Sequence, residues 1–183
     1  MFLHTAKIRL RQIEESDLAQ LRDWRNDPLI RSRTREFAPL NLLNQKNWWQ
    51  SLADKQNIMF GICPPENYDE DLIGVGGLVH IDWKNRHGEF SYYIGEATKR
   101  GKGYGREVAY LLFEYGFREL GLHRIWAEVY SNATEILEID KKLGFKTEGI
   151  MRESYWNDGR WWDSHIISIL DSEWDKMRID YLK

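Results

Sequence analysis

With a single cysteine in 183 residues, the chain cannot close an internal disulfide. That residue, Cys63, is followed by Pro64-Pro65 and has no base or metal partner beside it, so a structural thiol is expected and no metal site. Long apolar runs are also missing. Nothing approaches the roughly 18 apolar residues of a membrane span, and Met1 to Leu10 lacks a signal-type apolar core, so a cytoplasmic protein with no membrane attachment is expected. Only four prolines, no low-complexity tract, no repeat and no shift of composition mark a linker, which predicts one domain over residues 1–183. An excess of positive charge is absent too: 26 Lys and Arg against 29 Asp and Glu leave a net charge of −3, which speaks against generic nucleic-acid binding. Tryptophan is what the chain has in plenty, nine in all, with clusters at Trp48-Trp49 and at Trp156 with Trp161-Trp162. Such bulky side chains are expected to fill a core and part of an oligomer contact, a homodimer being the simplest assembly, or to offer a substrate a stacking surface.

The apolar periodicity predicts strand, helices, three strands, helix, strand, helix, two strands. Lys7 to Arg11 alternates as a strand with Ile8 and Leu10 inward, and Ser16 is placed to cap a helix carrying Leu18, Leu21 and Trp24. Ile30 to Leu43 lacks a period and reads as a loop, before a short helix from about Gln45 to Lys55. Asn57 to Cys63 and Leu72 to Trp83 form a predicted hairpin across the polar turn Glu66 to Asp71, and Arg86-His87-Gly88 turns into a strand from Glu89 to Ile94. A helix follows over Gly103 to Leu120, closed by Gly121. After a strand with Ile125, Ala127 and Val129 inward, Asn132 with Glu135 resembles a capping box for a helix burying Ile136, Ile139 and Leu143. Phe145 to Glu153 and Trp161 to Leu170 then form a last hairpin around Asp158-Gly159.

The richest stretch runs from Tyr92 to Gly105, out of a strand, through Arg100-Gly101-Lys102-Gly103-Tyr104-Gly105, and into a helix. Glycines let backbone amides converge on a phosphate at a helix start, and Arg100, Lys102 and Arg106 add positive charge. The segment lacks both the Gly-Lys-Ser/Thr ending of a nucleotide-triphosphate loop and the dinucleotide spacing of glycines, so it is either a plain turn or the seat of another pyrophosphate.

Arg100-x-x-Gly103-x-Gly105 after a strand resembles motif A of the GNAT acetyltransferases. Asn132 opening a helix that ends in Lys141-Lys142-Leu143-Gly144-Phe145, followed by Glu148-Gly149, is similar to that superfamily's motif B. The start, Leu10-Arg11-x-Ile13-x-Glu15-x-Asp17 with Trp24-Arg25-Asn26-Asp27-Pro28, and the end, Asn157-Asp158-Gly159-Arg160-x-x-Asp163, resemble the RimJ/RimL-like branch. The resemblance implies an α+β GNAT fold: a mixed, mostly antiparallel sheet of about seven strands, splayed in the middle, with helices on both faces. It implies acetyl-CoA in the split, with the backbone of Tyr92, Tyr93 and Ile94 along the pantetheine, the pyrophosphate on Arg100 to Arg106, and Asn132 on the pantetheine arm.

Acyl transfer from an activated thioester asks chiefly for positioning and for a base that frees the amine of its proton, with a backbone N–H near Ile94 for the developing oxyanion. Glu89 is the first candidate base, because it opens the strand beside the split and similar proteins carry a glutamate there. Glu128 on the facing strand is second, and Asp163 and Asp82 are weaker. Either carboxylate could instead be a solvated surface charge. The family's usual tyrosine acid, seven residues after the motif-B asparagine, is Ile139 here, which leaves Tyr130, Tyr155 or water as donor. Trp24, Arg25, Arg31, Trp48 and Trp49 are the candidate acceptor wall. With Arg33 and Arg35 near them they favour an amino-sugar nucleotide as the acylated small-molecule amine, ahead of a peptide or ribosomal-protein N-terminus and of a polyamine. A catalytically inactive CoA-binding sensor or scaffold is the reading from another class.

Overall fold

The computed structural model describes residues 3–64 and 72–181. Pro65 and the turn expected over Glu66 to Asp71 lie outside the described residues. The strands β1 (Arg9–Arg11), β2 (Ile58–Cys63), β3 (Gly74–Asp82), β4 (His87–Ile94), β5 (Arg124–Tyr130), β6 (Lys146–Asn157) and β7 (Arg160–Leu170) form a seven-stranded sheet in the order β1-β2-β3-β4-β5-β7-β6. Every neighbouring pair is antiparallel except β4 and β5. That parallel pairing lasts only through His87↔Arg124, Gly88↔Ile125 and Glu89↔Trp126. From Phe90 and Ala127 onward the two strands part, and the sheet is split there as expected.

Alternation decides which side chains meet which helices. Phe90 of β4, Ile125, Ala127 and Val129 of β5, and Ile167 and Ile169 of β7 point to one face. There they bury Val108, Leu111, Leu112 and Phe113 of α4 (Tyr104–Glu114), with Leu143 and Phe145 at the end of α5 (Thr134–Lys142). Met59, Cys63 and Val75 point to the other face, onto Leu18 and Leu21 of α1 (Leu18–Asn26) and half-buried Trp48 and Trp49 of α3 (Leu42–Ser51). Cys63 is buried, and burial pushes its thiol up, as a structural cysteine requires. Among the described residues no helix is long and apolar enough to cross a membrane.

Several local expectations are corrected. Ser16 does not cap α1: a turn of 3-10 helix over Glu15–Asp17 precedes it, and the Asp17 carboxylate accepts from the Glu14 N–H (2.8 Å) while Arg11 grips it at 2.8 and 2.9 Å. The loop from Ile30 is preceded by a one-turn helix, α2 (Pro28–Arg31), because Asp27 caps the Leu29 and Ile30 N–H groups and Pro28 suits a first helical position. Asn132 is not the cap of α5: Ala133 holds that position, and Glu135 pairs with Arg33 (2.5 Å) instead of closing a box. Ile139 faces outward, 44% exposed, and Asp140, four residues after Ile136, takes the inward position instead. The turn expected at Arg86-His87-Gly88 falls earlier, with Arg86 at φ 54° and β4 already begun at His87. A closing helix, α6 (Asp171–Met177), was not anticipated; its fully buried Trp174 meets the rings of Phe113, Tyr110 and Tyr181. Trp156 and Trp161, by contrast, pack edge to face at the tip of the β6–β7 hairpin and stay exposed.

Candidate active site

The turn from β4 into α4 is built by consecutive residues. Glu96 accepts from the Thr98 N–H (3.1 Å), and the Arg100 guanidinium folds back to donate to the carbonyls of Ile94 (3.0 Å) and Gly95 (2.8 Å). Arg100 therefore ties the loop to its own strand, and the charge left at the helix start belongs to exposed Lys102 and to Arg106, which stacks over the Tyr181 ring at 5.2 Å. Gly101 (φ 73°) and Gly103 (φ 82°) hold left-handed backbone with open space where a Cβ would point, just before a helix whose first N–H groups lack intrahelical partners. Gly105 is a glycine for a different reason. A Cβ there would fall 2.4 Å from the Tyr92 hydroxyl, so this position serves close packing of α4 on β4. Tyr104 begins that helix, half-buried against the core.

Along the split, Tyr92 faces α4 and its hydroxyl is pushed up to about 12 by burial and by the Asp140 charge. Tyr93 faces the other way, edge-on to Trp24 at 6.4 Å. The edge that Tyr92, Tyr93 and Ile94 present to β5 is thus backbone. Past the end of β5, the Asn132 Oδ1 is buried with no hydrogen-bond partner.

On the face away from α4, two carboxylates flank the point where β4 and β5 part. Glu89 is buried and Glu128 half-buried, with side chains 8% and 11% exposed. One guanidinium joins them: Arg35, from the segment between α2 and α3, lies 3.0 and 2.9 Å from the two Glu89 oxygens and 2.6 Å from Glu128. His80 Nδ1 lies 2.7 Å from Glu89, its ring exposed, on a residue at φ 49° within the irregular register between Val79 and Asp82. Ser164 donates to Glu128 at 2.6 Å. Tyr130 stacks on Tyr155 at 3.8 Å, its hydroxyl pushed up to about 12 chiefly by burial, and the Tyr155 hydroxyl donates to the Ser32 carbonyl (2.9 Å).

Comparison with known proteins now bears on this geometry. Residues 7–146 match the Acetyltransferase (GNAT) domain family. The chain belongs to that family. It is therefore an acetyltransferase, one that uses acetyl-CoA to acetylate an amine nitrogen. Among its relatives, an uncharacterized N-acetyltransferase of Bacillus subtilis strain 168, YnaD, is 27% identical over 96% of this chain and 100% of its own. The spermidine N(1)-acetyltransferase of Vibrio cholerae is 27% identical over 92% of this chain and 96% of its own. The crystal structure of spermidine N-acetyltransferase from Vibrio cholerae in complex with CoA and spermine superposes with a TM-score of 0.86 at 24% identity, covering 98% of this chain and 100% of that one, and shares the fold.

In this acetyltransferase the predicted acceptor wall is mostly framework. Trp24 lies so close to Gly95 that a Cβ on Gly95 would fall 2.0 Å from its ring, which makes it a packing residue and not a free stacking surface. Trp49 donates to the Ile13 carbonyl (2.9 Å), and Trp48 packs with it on the α1 side of the core. Trp49 also lines a cavity of about 800 Å³ with Leu52, Met59, Trp83 and Tyr115, but neither Glu89 nor Glu128 reaches it. Arg25 pairs with Glu36 at 3.8 Å, and Arg31 ends α2. Asp163 accepts from the Glu153 N–H at the irregularity of β6 between Met151 and Tyr155, and Asp82 accepts from Asn85 in the turn after β3, so both serve the backbone. Sequence reasoning missed His80, whose position depends on a strand irregularity, and missed that Arg35 clamps the two candidate bases. It also missed Asp140, buried with one oxygen unpartnered and its carboxyl pushed up to about 7 by burial; its spacing four residues after Ile136 was the available signal.

Proposed function

We propose that this acetyltransferase acetylates a primary amine of a polyamine, with Glu89 accepting the proton of the attacking nitrogen. The observation that carries this reading is the pair of carboxylates on one face of the split, buried Glu89 and half-buried Glu128, an acidic subsite suited to cationic nitrogens. The similarity to spermidine N-acetyltransferases supports it. The arginines that favoured a nucleotide phosphate do not: Arg33 is paired with Glu135 and Arg35 with Glu89 and Glu128.

The residues present fit acetyl-CoA. The left-handed Gly101 and Gly103 leave an uncluttered approach to the start of α4, where backbone N–H groups with Lys102 and Arg106 would hold the diphosphate. The backbone of Tyr92 to Ile94 would hold the pantetheine arm, and the unpartnered Asn132 Oδ1 would accept from one of its amides. Bound there, acetyl-CoA supplies an activated acyl group. The protein's remaining task is to deliver a neutral amine. Glu89 takes the proton, and His80, 2.7 Å away with an exposed ring, offers the proton a route to solvent. Glu128 holds a second ammonium group. Ile139 points outward and the Tyr155 hydroxyl is engaged with Ser32, so neither serves as acid; a thiol leaves readily enough near neutral pH for water to serve.

Release of free thiol from acetyl-CoA with spermidine, spermine, an N-terminal peptide and an amino-sugar nucleotide tests the assignment. Spermidine or spermine should exceed the others in kcat/KM by at least about tenfold. Equal or better turnover of the peptide or the sugar nucleotide would overturn it.

A further inference from the structure

Building on the polyamine reading, we infer that Arg35 is an internal stand-in for the acceptor's ammonium group and sets which amines the enzyme accepts. Its guanidinium covers the carboxylates from the solvent side: the Arg35 side chain is 46% exposed, above Glu89 at 8% and Glu128 at 11%. An amine approaching Glu89 must occupy the place the guanidinium holds. The segment carrying it is built to let go. Ser32 is pinned by the Tyr155 hydroxyl, and Leu40 by both polar atoms of the Asn26 side chain, at 2.8 Å each. Between these pins there is no helix or strand, Phe37 is 90% exposed, and the neighbours of Arg35 are held by the surface pair Arg33–Glu135 and the loose pair Arg25–Glu36 at 3.8 Å, so the Arg35 side chain can swing outward without unpacking a core.

A tethered cation competes at an effective concentration in the millimolar range. A monoamine can replace the guanidinium at only one carboxylate and leaves the other without a counter-charge, Glu128 keeping only its hydrogen bond from Ser164, which is costly. A polyamine brings a second ammonium for Glu128 and replaces both. Arg35 thus selects for acceptors with at least two cationic nitrogens.

The test compares wild type, Arg35→Gln and Arg35→Lys with spermidine and with butylamine as acceptors. If the guanidinium holds the subsite in most molecules, the apparent affinity for acceptor is lowered by that occupancy, so Arg35→Gln should lower the spermidine KM roughly tenfold. Butylamine should gain by a larger factor, so that the preference for spermidine shrinks, and the KM for acetyl-CoA should not move. Arg35→Lys, which keeps the charge but not the fork, should shift both acceptors the same way by less; it carries the test alone if the glutamine variant does not fold. An unchanged or raised spermidine KM in the variants would overturn the inference and make Arg35 a holding residue. Should neither wild type nor variant acetylate spermidine, the polyamine reading fails on its own, and calorimetric titration with spermidine decides the role of Arg35. Binding to Arg35→Gln and not to wild type supports competition; no binding to the bare carboxylate pair overturns it.

Discussion

Glu89 and Asp140 are both buried carboxylates beside the split, one on each face of the sheet, and they are treated differently. Glu89 is held by Arg35 and His80, so burial does not strip it of partners. Asp140 lies on the α4 side near Tyr92 and Tyr181, two groups that feel its charge and carry none of their own at neutral pH, and it has an oxygen with no hydrogen bond. A buried carboxylate with no partner is pushed toward the protonated form. The acceptor face is therefore electrostatically satisfied where proton transfer is needed, and the α4 face carries an electrostatic penalty.

The strongest way to break the comparison is to remove the charge from Glu89. Glu89→Gln keeps the size and some hydrogen bonds but accepts no proton, so kcat should fall roughly 10²- to 10⁴-fold, with acetyl-CoA affinity unchanged. The loss should shrink toward pH 9, where more amine is already neutral. Near wild-type kcat from pH 6 to 9 would transfer the role to Glu128 or to water.

Asp140→Asn should have the opposite character, altering stability before chemistry. Because the folded carboxyl, at about 7, lies above its ordinary 3.8, the folded state keeps a proton that the unfolded chain releases. Wild-type stability should accordingly fall as pH rises from about 4 to about 7, then level off. The asparagine variant should lack that slope and be more stable at pH 8, by something on the order of a few kcal/mol. Melting temperatures of both proteins at pH 5 and pH 8 check it. A difference between them that does not change with pH would show that Asp140 has a partner after all.

A smaller effect sharpens the contrast within the turn itself. Gly105→Val drives a side chain into the Tyr92 hydroxyl and should cost about 1–3 kcal/mol of stability, with or without ligand. Gly103→Val meets no atom, so beyond about 1–2 kcal/mol for the left-handed backbone its effect should appear as lost stabilisation by acetyl-CoA in a thermal melt. Full stabilisation of the Gly103 variant by acetyl-CoA would show that Gly103 serves only the turn.

How much of this was legible in the sequence depended on distance along the chain. The β4–α4 turn, the hairpin at Asp158-Gly159, where both residues have positive φ, and the alternating strands could be read because each is decided by neighbours a few residues apart. Local signals failed where two caps competed, as at Ser16 against Asp17 and at Asn132 against Ala133, and where Ile139 and Asp140, three and four residues after Ile136, competed for the inward position. The sequence by itself determined the order of the seven strands, the family motifs and the presence of two candidate bases on facing strands, but neither α2 nor the closing α6. Only the tertiary structure decided that Arg35 spans both of them, that His80 reaches Glu89 and that Trp24, Trp48 and Trp49 are framework. The Arg35 contacts cross 54 and 93 positions of chain and form only when the sheet brings β4 and β5 together under the α2–α3 segment, while His80, nine positions from Glu89, reaches it only through the irregular register of β3 on β4; no periodicity encodes either.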